Sequence, residues 1–203
     1  MIALKNICKS FDNKVVLNNF SHSFESGITI LMGKSGSGKT TLVNIILGLL
    51  VPDSGEIEYN IGGKTILKDI QFGAVFQEDR LFESFTALEN IAAINDKNAY
   101  TFLKKVNLEN ELKKKVYNLS GGMKRRLSLA RALAVNPDYL ILDEPFAGLD
   151  KKTKQQIMDL VIDYSKTIPA IIVLHDLQDA KYFGGTIVHL KDYAPPNAAE
   201  GNS

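Results

Sequence analysis

The chain has 203 residues, which suffices for one α/β domain with an inserted subdomain and leaves little room for two independent domains. Lys and Arg number 24 against 23 Asp and Glu, so the net charge of +1 gives no electrostatic footprint for nucleic acid or for an anionic membrane. The apolar runs are shorter than the ~20 residues of a spanning helix, and residues 1–5 lack a signal-peptide pattern. The composition thus favours a soluble domain whose membrane association, if any, comes through a partner.

The first 80 residues alternate between strand and helix patterns. Residues 2–7 and 15–24 alternate in polarity, which predicts two antiparallel strands. Residues 28–32 are continuously apolar, as in a parallel strand buried on both faces, and residues 40–50 carry apolar side chains at helical spacing. Strand-like stretches follow at residues 56–61 and 72–76.

The character of the chain then changes. Residues 86–89 form a capping-box pattern, and the stretch from 86 to 135 is rich in helix signals without a convincing strand. Apolar strands return at 139–142, 170–174 and 186–190, and helices are predicted at 151–164, which Asp150 can cap, and at 176–183. We therefore predict one domain over 1–193, with a core of about 1–77 and 138–193, a helical subdomain of about 78–137, and a disordered tail over 194–203.

A phosphate-binding loop lies between the strand at 28–32 and the next helix. Its pattern is G-x-x-x-x-G-K-[ST], in which glycines let backbone N–H groups surround phosphates, the lysine reaches the terminal phosphates and the hydroxyl supplies an oxygen to Mg²⁺. The bland alternative is a glycine-rich turn that starts a helix. The predicted nucleotide ligands are Gly33, Lys34, Ser35, Gly36, Ser37, Gly38, Lys39, Thr40 and Thr41.

Two carboxylates follow the apolar strand at 139–142. At the carboxyl end of a parallel strand, Asp143 can hold Mg²⁺ and Glu144 can polarise an attacking water. Alone, this pair could equally be an acidic turn before a helix. Together with the phosphate loop, it predicts a catalytic site for phosphoryl chemistry.

A second phosphate-binding feature is Ser120-Gly121-Gly122, at the start of a predicted helix. By itself it is an ordinary helix N-cap. Following a phosphate loop and preceding the Asp-Glu pair, it makes the chain resemble the ATP-binding cassette (ABC) ATPases over nearly its whole length. The fold class implied is α/β of the P-loop NTPase type: a mostly parallel sheet flanked by helices, with an N-terminal antiparallel β layer and an inserted helical subdomain.

The resemblance implies roles for further residues. Gln77 matches the loop glutamine that contacts Mg²⁺ and water, and His175 matches the switch histidine that contacts the γ-phosphate. Asp150 ends a loop, residues 147–150, that crosses between subunits. Phe11 stands where the family places an adenine-stacking ring, although a core aromatic at a strand end is the alternative. Lys39 and Asp143 of one subunit then face Ser120 and Gly122 of another across a shared ATP.

The resemblance also implies cofactors and partners. The cofactors are ATP and Mg²⁺. The expected partners are a second ABC ATPase subunit, with which the chain forms an ATP-dependent homodimer, and transmembrane permease subunits, which receive the motion of dimer closure through a groove near Gln77. A solute-binding protein would act through the permease. No direct nucleic-acid partner is expected. The chain would act at the cytoplasmic side of the cell membrane, and be soluble when isolated.

Residues 75–81, residues 86–91 and Met123 resemble the ATPases of bacterial nitrate, sulfonate, taurine or bicarbonate importers. A non-transport ABC ATPase acting on DNA or the ribosome, and an exporter ATPase, stay open as alternatives. A P-loop kinase would leave Ser120 and His175 unexplained. The arginines at 125, 126 and 131 are expected to serve structure or charge balance at an interface.

Overall fold

A computed structural model describes residues 1–12, 14–61, 64–66 and 70–190, and the predicted tail over 194–203 lies outside them. The strands are β1 (Ile2–Phe11), β2 (Lys14–Phe24), β3 (Ile28–Met32), β4 (Ser54–Ile61), β5 (Lys64–Ile66), β6 (Phe72–Val75), β7 (Tyr139–Asp143), β8 (Ala170–Val173) and β9 (Thr186–His189). The helices are α1 (Lys39–Ile46), α2 (Ala87–Asn95), α3 (Ala99–Lys105), α4 (Gly121–Ala134), α5 (Lys151–Ser165) and α6 (Leu177–Phe183), and short 3₁₀ turns cover Asp96–Asn98 and Val116–Asn118.

The strands form two sheets. The antiparallel sheet has the order β2-β1-β4-β5, and the parallel sheet has the order β6-β7-β8-β3-β9. In the parallel sheet Asp143 pairs with Val173, so β7 and β8 end side by side at the same edge. This edge, which β3 also reaches, is where open α/β sheets bind their ligands.

The central strands β3, β7 and β8 of the parallel sheet are buried on both faces, as their continuous apolar sequences predict, whereas the edge strand β9 is partly exposed. In β7, Leu140 and Leu142 pack with the helices α2 to α5, whereas Ile141 points to the opposite face. There it packs with α1 and with the antiparallel sheet, through residues such as Leu42 and Phe20. The helix α1, which follows the phosphate loop, therefore packs between the two sheets, and this packing fixes the position of the loop.

The helices α2, α3 and α4 lie between β6 and β7, where the sequence predicts a helical subdomain. The capping box is present: the Thr86 hydroxyl accepts a hydrogen bond from the backbone N–H of Glu89, and the Glu89 carboxylate accepts one from the N–H of Thr86. Asn90, which is fully buried, donates to the carbonyl oxygens of Phe82 and Thr86. The limits of the domain and of this subdomain stay a prediction.

The main differences from the predicted elements have local causes. α1 ends at Ile46 rather than at residue 50, because Gly48 adopts a φ of 70° and the N–H groups of Leu49 and Leu50 both turn back to the carbonyl of Asn44. β5 is an additional short strand that the sequence pattern did not indicate. Among the residues described, none of the helices is both long and apolar enough to span a bilayer.

Candidate nucleotide-binding site

The phosphate loop joins β3 to α1 and is shaped by glycines. Gly36 and Gly38 have φ values of 78° and 94°, which favour glycine strongly, and Gly38 is the N-cap of α1. A Cβ on Gly33 would lie 2.5 Å from the Ser37 hydroxyl, so any side chain there would force the loop open. The loop therefore needs its glycines for a tight turn at the N-terminus of a helix, which is the arrangement that binds phosphate.

Lys39 lies in the mouth of this loop and is only 6% exposed. Its Nζ donates hydrogen bonds of 2.9 Å to the carbonyl oxygens of Gly33 and Lys34. Burial lowers the pKa of Lys39, and the nearby carboxylates of Glu144 and Asp143 act in the opposite direction. The ammonium group is thus held at the loop by uncharged carbonyl oxygens. A phosphate oxygen can take their place as a charged and therefore stronger acceptor.

The Ser37 hydroxyl gives a second sign that the loop suits a phosphate. Its Oγ is buried and has no hydrogen-bond partner among the described residues. A buried unpaired polar atom is costly, and a bound water or ion is one of the partners that satisfy such atoms. The donor set of the loop therefore fits a polyanion.

Asp143 lies at the end of β7 with 2% of its surface exposed. Its Oδ2 accepts a 3.0 Å hydrogen bond from the hydroxyl of Thr40, the first residue after Lys39. Burial raises the pKa of Asp143, while the hydrogen bond from Thr40 lowers it. A carboxylate and a hydroxyl oxygen at this distance are hard oxygen donors, so this pair fits Mg²⁺.

Glu144 and His175 meet at the ends of neighbouring strands. The Nε2 of His175 lies 2.6 Å from the Oε1 of Glu144, and the Glu144 backbone N–H donates to the carbonyl of Val173 at 3.2 Å. Glu144 adopts a left-handed φ of 50°, an unusual conformation for a non-glycine residue. The sheet edge thus places a carboxylate and an imidazole in direct contact, and half of the imidazole stays accessible.

These residues surround one cleft of about 250 Å³. It is lined by Phe11, Val16, Ser35, Gly36, Gly38, Lys39, Thr40, Thr41, Gln77, Glu144 and His175. The structure therefore brings together half of the predicted nucleotide ligands with Gln77, Glu144 and His175, whereas Gly33, Lys34, Ser37 and Asp143 are not among the lining residues. Phe11, which ends β1, is one of the ligands that line the cleft, and it is 44% exposed. The exposed position argues against the core-aromatic alternative. Val16 also lines the cleft, and no sequence pattern indicates this position.

Ser120, Gly121, Gly122 and Asp150 do not line this cleft. The Ser120 hydroxyl caps α4 by accepting a hydrogen bond from the N–H of Met123 at 3.3 Å, and Asp150 caps α5 through the N–H groups of Lys152 and Thr153. The hydrogen bonds to Thr153 and Lys152 lower the pKa of Asp150. One chain thus carries a phosphate-loop cleft and, apart from it, an exposed helix N-terminus.

Arg125 connects these two parts of the chain, a role that the sequence did not reveal. It lies on α4, and its guanidinium donates to the carbonyl oxygens of Phe76 and Gln77 at 2.6 and 2.7 Å. Its Nη1 also lies 3.4 Å from the carboxylate of Asp79. The helix that begins at Ser120 is therefore tied to the backbone of the Gln77 loop.

Fold and cleft together define a P-loop ATPase domain. The family model described as ABC transporter matches residues 17–147. The taurine import ATP-binding protein TauB of Roseobacter denitrificans is 36% identical over 192 residues, which cover 87% of this chain and 70% of that protein. The aliphatic sulfonates import ATP-binding protein SsuB of Bacillus subtilis is 38% identical over 186 residues, covering 87% and 72%.

A solved structure shares the fold as well. It is a dimeric post-hydrolysis state of the ATP-binding cassette MJ0796 bound to ADP and Pi, with a TM-score of 0.84, 33% identity and 95% of both chains covered. The chain belongs to the ABC transporter family, as the three motifs and their order predict. The predicted fold class and the predicted ATPase activity class are thereby confirmed.

Proposed function

We propose that this chain is the ATP-hydrolysing subunit of a bacterial ABC importer, and that the cleft between the phosphate loop and the Glu144–His175 pair is its catalytic half-site. One observation carries the proposal: Lys39, Thr40, Gln77, Glu144 and His175 line a single cleft at the carboxyl edge of the parallel sheet. The import function follows the names of the curated relatives, which act on taurine and aliphatic sulfonates.

In the proposed mechanism, the γ-phosphate of ATP binds in the phosphate loop. Its oxygens replace the carbonyl oxygens of Gly33 and Lys34 as acceptors of the hydrogen bonds from the Nζ of Lys39. Glu144 accepts a proton from water as the water oxygen bonds to the γ-phosphorus and the bond from that phosphorus to the leaving ADP oxygen breaks. His175, which already contacts the Oε1 of Glu144, orients that carboxylate and contacts the γ-phosphate. Gln77, which also lines the cleft, positions the water. Phe11 stacks on the adenine at the cleft mouth.

Thr40 and Asp143 would hold Mg²⁺ with their oxygens, and Gln77 would contribute from the cleft wall. The chemistry supplied by a bound ion at this position would be the neutralisation of negative charge on the phosphates.

The second half of the site comes from another copy of the chain. Ser120, Gly121 and Gly122 present a hydroxyl and unencumbered N–H groups at an exposed helix N-terminus, apart from the chain's own cleft. In a head-to-tail dimer they bind the γ-phosphate held by the partner, and Asp150 lies at the subunit boundary. The dimeric state of the similar cassette supports this arrangement.

A groove beside the nucleotide cleft would receive a cytoplasmic helix of the permease. This groove, of about 500 Å³, shares Phe11, Thr40 and Thr41 with the cleft. Its other lining residues are Asn44, Leu49, Leu50 and Arg80. Leu49 is 57% exposed, so apolar surface is available there. The chain then works at the cytoplasmic side of the membrane, and a solute-binding protein acts through the permease.

The substitution Glu144→Gln tests the catalytic assignment. The purified variant should bind ATP and lose steady-state hydrolysis, because the amide cannot accept the proton of the attacking water. Glu58→Gln, on the antiparallel sheet, should hydrolyse ATP normally. Normal hydrolysis by Glu144→Gln would defeat the assignment.

Gel filtration with ATP tests the dimer. Glu144→Gln should elute as a dimer, whereas the double variant with Gly122→Asp should stay monomeric, because an aspartate at this helix start repels the phosphate of the partner site. Thr101→Asp, on an exposed position of α3, is the matched control and should leave dimerisation intact. ATPase stimulation by DNA or ribosomes, without co-purification of a permease, would reverse the importer assignment.

A further inference from the structure

The helices α5 and α6 pack beside the Glu144–His175 pair, and side chains connect them at two points, while a third contact joins α6 to the loop before α5. The Nζ of Lys154 on α5 lies 2.5 Å from the Oδ2 of Asp179 on α6. The hydroxyl of Tyr182 donates to Asp159 at 2.5 Å. The Phe183 ring stacks on Phe146, with centroids 5.7 Å apart and an angle of 26° between the planes.

Each helix continues from a loop that carries one member of the pair. α5 begins after Asp150, six residues beyond Glu144, and α6 begins at Leu177, two residues beyond His175. Asp176, the residue between His175 and α6, caps that helix by accepting a 2.6 Å hydrogen bond from the N–H of Gln178. A shift of α6 relative to α5 would therefore move the imidazole relative to the carboxylate.

Lys154 and Asp179 also line a cavity of about 160 Å³ together with Glu144 and His175. Their side chains are 28% and 17% exposed, so their attraction is screened less than that of a surface pair. The Lys166–Asp163 pair near the end of α5 is a useful contrast, because its side chains are 70% and 71% exposed and take no part in that cavity.

We propose that Lys154 and Asp179 are positioning residues that fix the distance between His175 and Glu144, and that ATP hydrolysis depends on their ion pair. The proposal rests on the catalytic roles proposed above for Glu144 and His175. The pair does not touch the reacting atoms. It acts by holding α6 against α5, and thereby the imidazole at 2.6 Å from the carboxylate.

ATPase kinetics of the full chain test this role. Lys154→Met and Asp179→Asn should each lower kcat by about tenfold, since misplacing a catalytic group by ~1 Å can cost up to a hundredfold. The KM for ATP should stay the same, because neither residue lines the nucleotide cleft. Lys154→Arg should restore most of the rate, and the double variant should be no slower than either single variant. Lys166→Met is the control and should leave both constants unchanged.

NMR of the imidazole rings provides a readout that a general loss of stability would not reproduce. The chain has three histidines, His22, His175 and His189, so ring signals can be assigned by single substitution. Asp179→Asn should shift the His175 signals and leave those of His22 and His189 in place. This measurement also stands if Lys154→Met fails to fold.

The outcomes separate the two proposals. If Glu144→Gln is inactive while Lys154→Met and Asp179→Asn hydrolyse ATP at the normal rate, the positioning role is overturned and the proposed function stands. Unshifted His175 signals in Asp179→Asn would also overturn it. If Glu144→Gln hydrolyses ATP normally, the catalytic role proposed above for Glu144 fails, whatever the Lys154 variants do.

Discussion

Arg125 offers a direct test of how the helical subdomain is joined to the nucleotide cleft. The substitution Arg125→Met keeps the aliphatic stem and removes the guanidinium, and with it the hydrogen bonds to the Phe76 and Gln77 carbonyl oxygens and the ion pair with Asp79. Arg125 is 8% exposed, so little solvent is available to replace these contacts. The substitution should therefore loosen the Gln77 loop and destabilise the fold.

The size of the loss follows from the contacts. A hydrogen bond to a charged group contributes about 1.5–3 kcal/mol, and removing one partner of a buried ion pair costs about 3–5 kcal/mol. The Asp79 side chain keeps 22% exposure and can be partly rehydrated, which places the expected loss near the lower end, at about 3 kcal/mol. For a chain of this size, that lowers Tm by about 6–12 °C.

Urea unfolding and ATPase kinetics measure the two consequences. Arg125→Lys keeps the charge but not the paired donors, so we expect about half the loss of stability. Arg131→Met is the matched control on the same helix. The Arg131 guanidinium donates one hydrogen bond, to the Arg80 carbonyl, and lies 5.3 Å from the centre of the Phe82 ring, so its loss should cost about 1.5–2 kcal/mol. A loss below 1 kcal/mol for Arg125→Met, with unchanged kcat, would refute the reasoning.

Two further substitutions test the site and the subdomain. Asp143→Asn should raise the Tm of the nucleotide-free protein at neutral pH, because the buried carboxylate of Asp143 is charged there and the amide is not. Burial raises the pKa of Asp143, so protonated Asp143 favours the folded state. This contribution to stability is complete below the ordinary pKa of 3.8 and is lost as pH rises through the pKa of the folded state. Scanning calorimetry across pH should show this advantage shrinking toward acidic pH, and an advantage independent of pH would contradict it. Thr86→Ala removes the capping box of α2 and should lower the free energy of unfolding by about 1 kcal/mol, or the Tm by about 2–4 °C. Thr101→Ala, on an exposed position of α3, is the control and should not destabilise the protein. Equal effects of the two substitutions would count against the capping role.

The parts of the fold that the sequence predicts correctly are those with strong local signals. The continuous apolar runs identify β3, β7 and β8 because a strand buried on both faces needs no polar positions. The early end of α1 was missed because the apolar spacing continues through Leu49, whereas the left-handed turn at Gly48 decides where the helix stops. The strand β5 has only three residues, too few for a pattern to register.

The candidate site divides in the same way. Glu144 and His175 each follow an apolar strand, and parallel strands that are neighbours bring their ends together, so their contact follows from the sequence once the strand order is known. Arg125 and Lys154 lack such a signal. Their partners lie 48 and 25 residues away on other elements, and only the packing of helices on the sheet brings them together.

The charged groups of Lys39 and Asp143 lower the stability of the free protein at the positions where the proposed function needs them. Burial lowers the pKa of Lys39 and raises that of Asp143, so each charged group costs free energy where it lies. A polyphosphate beside Lys39 and a divalent cation beside Asp143 would each supply the opposite charge, and would remove both costs at once. Ligand binding to the folded state alone adds about 2.7 kcal/mol of stability at a concentration of 100 Kd. The two groups that weaken the free protein are therefore the ones that a bound nucleotide and cation would neutralise, which would couple the stability of the fold to ligand binding.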